Sequence, residues 1–336
     1  MRKNLISIGK LLFSTTALIF SLLASLLLAV SPPQASAAEQ EPESAANRTL
    51  YKTINIDGME IFYREAGPTD APTILLLHGF PTSSHMFRNL IPAISDRFHL
   101  VAPDYLGFGN SAQPAMDAFD YTFDNQAKVV EHFVTTLGIK KYSLYLMDYG
   151  APIGFRLASK HPDQVQALII QNGNEYEEGL REFWDPIRVY WKDRTPANAE
   201  PLAKFISPEG VKWQYTHGAR NVQTISPDNW NLDLRHLTRN GNPEIQLAMF
   251  YDYQNNLPLY PKWQDYFRKH QPPALIVWGK NDYIFPADGA FPYKRDLKNL
   301  GFHLLDTGHF ALEEDGQVIA DIIRKFLDKQ LHKAKK

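Results

Sequence analysis

Tyr142-Ser143-Leu144-Tyr145-Leu146-Met147-Asp148-Tyr149-Gly150 reads as a short buried strand that runs into a helix across one sharp turn. Its six apolar and aromatic-rich residues suit a strand covered on both faces. A single acid, Asp148, follows, and Gly150 opens a stretch, residues 150–161, with helical spacing of apolar positions. Such an elbow lifts the side chain at its corner clear of the sheet. The helix start favours negative charge there. Asp is equally a common helix cap, so Asp148 taken alone supports a reactive carboxylate and a plain cap with equal weight.

Outward from the elbow, short apolar runs alternate with helical patterns. Residues 73–77, 99–102, 142–147, 167–170, 274–278 and 302–305 read as strands, and residues 84–94, 124–137, 150–161 and 317–331 as helices. Residues 51–65 alternate around Asp57-Gly58, which marks a hairpin. Buried strands alternating with helices predict a mostly parallel sheet covered on both faces. The alternation breaks from about residue 171 to residue 271, where five of the six tryptophans lie (Trp184, Trp191, Trp213, Trp230, Trp263). That stretch is expected to be a helical cap inserted between two strands. Most of its rings belong to a packed core, and the insertion as a whole suggests an apolar pocket between cap and sheet.

Two further strand ends carry polar residues of matching chemistry. Val277-Trp278-Gly279-Lys280-Asn281-Asp282 places an acid just past one strand, and Asp306-Thr307-Gly308-His309-Phe310 places a histidine just past the next. The order acid, acid, histidine along the chain matches nucleophile, acid and base in a hydrolase triad. A lone His or Asp on a loop is usually a satisfied polar group, but three at successive strand ends give Asp148 the reactive reading. His78-Gly79-Phe80-Pro81 follows the strand at residues 73–77. A glycine turn there aims backbone N–H groups inward, and those of Phe80 and Tyr149 are the expected oxyanion hole. His78 and Asp104 are expected to be structural.

Composition bounds the rest. The chain has 336 residues, a net charge of −2, 44% hydrophobic residues and no cysteine. It is long enough for a large core, and the lack of cysteine excludes disulfides, Cys–zinc sites and a thiol nucleophile. The near-zero charge gives no reason to expect nucleic acid. Arg2, Lys3 and Lys10 flank the start of an apolar run over residues 11–30, followed by Ala35-Ser36-Ala37. That pattern predicts a signal peptide over residues 1–37, with export to the periplasm or medium. An uncleaved anchor is the alternative, because the run is about long enough to span a bilayer. Cleavage would remove three cations and no anion, taking the net charge from −2 to −5. Residues 38–50 read as a linker, 51–171 and 272–336 as the two parts of the core, and 172–271 as the cap. Asn47-Arg48-Thr49 fits a glycosylation sequon by triplet only, and the Lys-rich tail (Lys329, Lys333, Lys335, Lys336) reads as a solvated helix end.

On these motifs the mature chain resembles the α/β-hydrolase fold from about residue 51 to residue 331: an eight-stranded, mostly parallel sheet with an inserted helical cap. Within it, the chain resembles the branch with an aspartate nucleophile, which holds epoxide hydrolases and haloalkane dehalogenases. The resemblance implies catalytic Asp148, Asp282 and His309, an alkyl–enzyme ester hydrolysed by His-activated water, a small apolar substrate, and no metal or organic cofactor. In epoxide hydrolases of this branch two cap tyrosines protonate the leaving oxygen; in dehalogenases a Trp beside the nucleophile and an Asn or second Trp hold the halide. Here Phe80 and Tyr149 occupy the positions where dehalogenases carry their halide donors. The stretch Phe250-Tyr251-Asp252-Tyr253-Gln254-Asn255-Asn256 is similar to the segment bearing one epoxide-hydrolase tyrosine, best matched by Tyr253. Its partner is expected at Tyr190, with Tyr176 or Tyr215 as substitutes. Pro81-Thr82-Ser83-Ser84, Arg88-Asn89-Leu90-Ile91-Pro92, Leu146 and Gly154-Phe155 are dehalogenase-like, and Trp184 or Trp191 would then serve a halide. Epoxide opening is the first expectation, halide displacement the alternative, and a non-catalytic pocket for an apolar ligand the reading from another class.

Overall fold

The computed structural model describes residues 48–333; the expected leader, most of the linker, the Asn47 sequon and the last three residues of the tail lie outside them. Eight strands form one sheet: β1 (Leu50–Ile56), β2 (Met59–Ala66), β3 (Thr73–Leu77), β4 (His99–Pro103), β5 (Tyr142–Met147), β6 (Val165–Gln171), β7 (Ala274–Gly279) and β8 (Leu300–Leu305), in the order β1-β2-β4-β3-β5-β6-β7-β8. β1 and β2 form the expected hairpin, with Ile56 opposite Met59. Asp57 and Gly58 both have positive φ, 53° and 84°, the backbone that a tight two-residue hairpin turn requires. β2 pairs antiparallel with β4, and the remaining pairs are parallel. Every residue of β3, β5 and β7 is buried, which is why these strands read as unbroken apolar runs rather than alternating ones.

The chain runs from β3 to β4 on one side and then returns to β5 on the other. The carboxyl ends of β3 and β5 therefore flank the point where strand order reverses. Open α/β sheets form their binding crevice at such a point. Leu77 lies opposite Leu146 in the β3–β5 register, so the turns after these strands meet above it.

The helices are α1 (Leu90–Ile94), α2 (Phe123–Thr136), α3 (Gly150–Lys160), α4 (Asp185–Lys192), α5 (Pro196–Ala203), α6 (Pro208–Thr216), α7 (Pro227–Leu237), α8 (Asn242–Asp252), α9 (Tyr260–His270), α10 (Tyr293–Asp296) and α11 (Ala311–Lys333). Two sequence expectations change here. Residues 84–94 form not one helix but a 3-10 turn, Ser84–Phe87, followed by α1. Pro92 has no N–H to continue a helix from residue 88 and fits only in a first turn, so a new helix must start just before it. The last helix begins at Ala311 rather than at residue 317, with non-helical backbone at Asp315 beside the helix-breaking Gly316.

All regular structure between β6 and β7 is helical. α9 lies on the core: Trp263 and Phe267 pack on Phe155 of α3, with ring centroids 6.0 and 5.1 Å away. Among the described residues no helix is long and apolar enough to cross a membrane.

Candidate active site

Asp148 sits at the β5–α3 corner with φ of 51°, a left-handed conformation that costs energy for a non-glycine residue and clusters at functional sites. Two neighbours make the corner sterically possible. A Cβ on Gly79 would come within 2.4 Å of Asp148 Oδ1, and one on Gly150 within 2.2 Å of the Leu77 carbonyl oxygen. Glycine at both positions lets the two turns close on each other.

The backbone N–H groups of Phe80 and Tyr149 both donate to Asp148 Oδ1, at 2.7 and 2.6 Å. They therefore hold one carboxylate oxygen and leave Oδ2 for other chemistry. The His309 Nε2 atom faces Oδ2 at 3.8 Å, beyond hydrogen-bond range, and has no other partner. On the far side of the ring, His309 Nδ1 bonds Asp282 Oδ2 at 2.8 Å. The structure thus brings Asp148, Asp282 and His309 together from the ends of β5, β7 and β8, with all three buried.

Burial pushes the Asp148 carboxyl up to about 6, against the opposing pull of His309 and the two N–H donors. Burial would lower the His309 imidazole, but the Asp282 and Asp148 carboxylates outweigh it and leave it raised. Near neutral pH the site therefore holds an ionised Asp148 beside an imidazole poised to exchange a proton.

Asn172, just past β6, was not singled out by sequence. Its Nδ2 donates to Asp282 Oδ2 at 2.8 Å, and its Oδ1 accepts from Gly279 N at 3.0 Å. Asp282 Oδ1 also accepts from Ile284 N at 2.8 Å. The acid is thereby fixed from three directions. The only sequence signal was a polar run, Gln171-Asn172-Gly173-Asn174-Glu175, beginning at a strand end.

The residues expected to be structural occupy structural places. His78 is fully buried, bonds the Gly79 carbonyl oxygen through Nδ1 and accepts from Tyr105 N; burial holds it down at about 4. Asp104 accepts from Ser84 N and Asn110 N, at 2.7 and 2.8 Å, and so ties two loops beneath the site.

The cap residues divide. Tyr253 is buried in an aromatic box with Trp184, Phe123 and Tyr149, at ring distances of 4.4, 5.5 and 6.1 Å. Its hydroxyl meets that of Tyr260 at 3.4 Å. Tyr190, the expected partner, is elsewhere: its ring packs on Tyr251 at 6.0 Å and under Arg194. Tyr176 and Tyr215 are committed to Asp296 and Asp233. The tryptophans are near Tyr253, but neither offers a free N–H. Trp184 Nε1 donates to the Ile284 carbonyl and Trp191 Nε1 to the Phe250 carbonyl, at 2.9 and 2.8 Å. Sequence could not foresee this, because an indole N–H takes whichever backbone acceptor the cap presents.

A cavity of about 630 Å³ lined by Phe183, Pro186, Phe205, Trp213 and Tyr283 opens between the cap and the loop after β7. Phe205 packs on Phe250, and Phe250 on Phe80, so a chain of rings links the wall of this cavity to the residue that supplies one N–H donor. Among the described residues no cluster of three His, Asp or Glu side chains would hold a metal.

An elbow carboxylate, two converging N–H donors and a carboxylate-oriented imidazole at the strand-order switch define a hydrolase of the α/β class. Residues 72–316 match the family model described as the alpha/beta hydrolase fold, and the chain belongs to that family. It is 44% identical over 271 residues to the uncharacterized hydrolase YNR064C of Saccharomyces cerevisiae, covering 80% of this chain and 93% of that one. It is 35% identical over 307 residues to a haloalkane dehalogenase of Mesorhizobium japonicum, covering 83% and 91%. The solved epoxide hydrolase CorEH shares the fold, with a TM-score of 0.68 at 22% identity over 84% of this chain and 99% of that one.

Proposed function

We propose that the protein hydrolyses epoxides to diols through an ester on Asp148. The observation that carries this reading is the fate of the donors around the carboxylate. Both cap indole N–H groups that would cradle a halide are spent on backbone carbonyls, and a tyrosine, Tyr149, follows Asp148. The Tyr253 ring lies in the aromatic box beside Tyr149, and its hydroxyl, an acid suited to a leaving alkoxide, meets that of Tyr260.

The geometry supports the following steps. Asp148 Oδ2 attacks an epoxide carbon; the carbon–oxygen bond of the ring breaks, and its oxygen takes the Tyr253 proton. The ester carbonyl oxygen is then Oδ1, already seated on the N–H groups of Phe80 and Tyr149. His309 Nε2 takes a proton from water, the hydroxide adds to Cγ, and the N–H pair holds the oxyanion. Collapse breaks the Cγ–Oδ2 bond, and the departing oxygen takes the proton from His309. The substrate is small and apolar, as the aromatic lining of the site supports, and water is the second substrate.

The relatives named as dehalogenases support halide displacement as the second reading; the two part on the leaving group alone. The test incubates the purified protein with terminal aryl and alkyl epoxides and, separately, with bromoalkanes. Diol formation is expected. Halide release without diol from any epoxide would overturn the reading. In the His309→Phe variant the ester should accumulate on Asp148, and with ¹⁸O-water a single turnover should place label in the Asp148 carboxylate, not in the diol. We also propose export, on the strength of the leader in residues 1–37; secreted protein should begin at Ala38.

A further inference from the structure

Tyr215 and Asp233 are buried polar groups that the steps above leave unused. Both belong to the cap, on α6 and α7, and the Tyr215 hydroxyl donates to Asp233 Oδ2 at 2.5 Å. A buried acid is costly to keep unless it is bonded, and this bond fixes the Tyr215 ring by its far end. The ring lies flat on that of Phe310, with centroids 4.0 Å apart and planes 7° from parallel. Phe310 follows His309 directly, and its ring stands edge-on to the imidazole at 5.1 Å.

The chain just past Tyr215 closes on the other neighbour of the same histidine. A Cβ on Gly308 would come within 2.1 Å of the His217 carbonyl oxygen, so cap backbone rests directly against the residue before His309. The Arg220 and Asn221 N–H groups donate to the Glu314 carboxylate at 3.1 and 3.0 Å, and the Thr307 hydroxyl donates to the same carboxylate at 2.5 Å. The stretch also reaches the loop of the acid. Asn281 Nδ2 donates to the Gly218 carbonyl at 3.0 Å. Gly218 has φ of 77°, and a Cβ on it would lie 2.4 Å from the Asn281 carbonyl oxygen. Residues 215–221 thus bear on the chain neighbours of both His309 and Asp282.

We propose that this stretch of the cap, keyed by the Tyr215–Asp233 pair, positions the His309 imidazole for ester hydrolysis. The inference rests on the aspartate-ester mechanism, whichever group leaves, because the second half-reaction is the one that needs the imidazole as a base.

His309 has one side-chain bond, from Nδ1 to Asp282, and Nε2 has no partner. One bond fixes one end of the ring. The place of Nε2 then depends on the backbone on either side, where the cap bears. From the core, Gln171 Nε2 reaches the His309 carbonyl at 3.3 Å, a long bond. A displacement of about 1 Å in a catalytic group costs up to about 10²-fold in rate, so the cap contacts have leverage. Tyr215 acts through Phe310 and is a positioning residue, not a catalytic one. Burial pushes the Asp233 carboxyl up to about 8, so near neutral pH it is mainly a neutral acid that an amide of the same shape can replace.

The test separates the two half-reactions. Wild type, Tyr215→Leu, Tyr215→Phe, Asp233→Val and Asp233→Asn are each mixed rapidly with a terminal aryl epoxide and, separately, with a bromoalkane. Ester formation and ester hydrolysis are timed in single turnovers. Tyr215→Leu removes the ring from Phe310 and should slow hydrolysis by roughly 10²-fold. Tyr215→Phe keeps the stack but loses the bond to Asp233, and Asp233→Val removes the acceptor; each should slow hydrolysis about tenfold. In Asp233→Asn the amide oxygen still accepts from the tyrosine, and hydrolysis should run at the wild-type rate. Ester formation should be unchanged in all four, which also shows that the fold survives. Equal losses in both steps would mean plain packing and would overturn the positioning role, as would unchanged hydrolysis in all four variants. No ester from either substrate in wild type or in His309→Phe would overturn the aspartate-ester mechanism, and this role with it.

Discussion

Asn172 Nδ2 donates to Asp282 Oδ2, the same oxygen that accepts from His309 Nδ1, and both contacts are 2.8 Å. One oxygen thus links the end of β6 to the end of β8 through β7. A buried carboxylate that serves as the partner of an imidazole works only if it cannot rotate, and Asn172 supplies that restraint. Asn172 also has positive φ, 46°, which an Asn tolerates better than most residues. Asn172→Ala should therefore lower kcat about tenfold through loss of one buried bond to a charge. The kinetic pKa of His309 should rise, because Asp282 loses a competing donor. A pH–rate profile of the variant checks both, and an unchanged profile would mean that Ile284 N alone holds Asp282.

The pH dependence divides between the two half-reactions. Asp148 attacks only when ionised, and its carboxyl is pushed up to about 6. Ester formation should fall off as pH drops through about 6. His309 must be neutral to take a proton from water; in the ester Asp148 has lost its charge, so Asp282 alone opposes the burial that lowers the imidazole. Rapid-mixing rates of the two steps measured across pH should therefore show ester formation, and not ester hydrolysis, following the ionisation near 6.

The same raised carboxyl bears on stability, with a definite sign. The folded state binds the Asp148 proton more tightly than the unfolded chain, whose carboxyl keeps the ordinary value of 3.8. Stability from this group is therefore lost as pH rises from about 4 to about 6, and the cost is fully present above that. Asp148→Asn should raise the Tm at pH 7.5 and lose that advantage at pH 4. Thermal unfolding at the two values checks it.

The parts of this site that were legible in the sequence lie next to the strands. Asp148, Asp282, His309 and Phe80 each follow a short apolar run, and a parallel sheet with both faces covered leaves its functional groups nowhere but at strand ends. The cap offered no such ruler. Its helices carry rings on several faces, so nothing along the chain marks which ring accompanies Tyr253, and only packing shows Tyr190 against Tyr251 and Tyr253 against Tyr149. Asn172 was hidden because a polar run after a strand reads as an ordinary loop.

The N–H pair is the part of the site that a single methyl group should destroy. Gly79 stands between β3 and Phe80, and a Cβ there would lie 2.3 Å from Asp148 Cβ and 2.4 Å from Oδ1. The Cβ is fixed to the backbone and Oδ1 is held by the two N–H groups, so the turn must move and carry Phe80 N with it. Gly79→Ala should cost roughly 10² to 10³ in kcat, the scale for one lost oxyanion donor. The loss should fall mainly on ester hydrolysis, where the oxyanion forms. Trapped ester should then be seen at neutral pH with His309 intact, a result that distinguishes a broken donor pair from an unfolded site.

The indole bonds give the sharpest separation of the two substrate readings. Trp184 Nε1 and Trp191 Nε1 are held by the carbonyls of Ile284 and Phe250. Ile284 lies two residues past Asp282, so the Trp184 bond ties the cap to a catalytic loop, and the Trp191 bond, within the cap, holds Phe250, which packs on Phe80. Removal of an indole should therefore act on stability and not on leaving-group binding. Trp191→Phe leaves the Phe250 carbonyl without its donor and should lower stability by about 1 to 3 kcal/mol. Bromide should neither inhibit wild type competitively nor quench its tryptophan fluorescence, and Trp191→Phe should leave that indifference unchanged. If bromide instead binds wild type and loses affinity in Trp191→Phe, the indole turns toward the cavity in solution, and halide displacement becomes the better reading of the site.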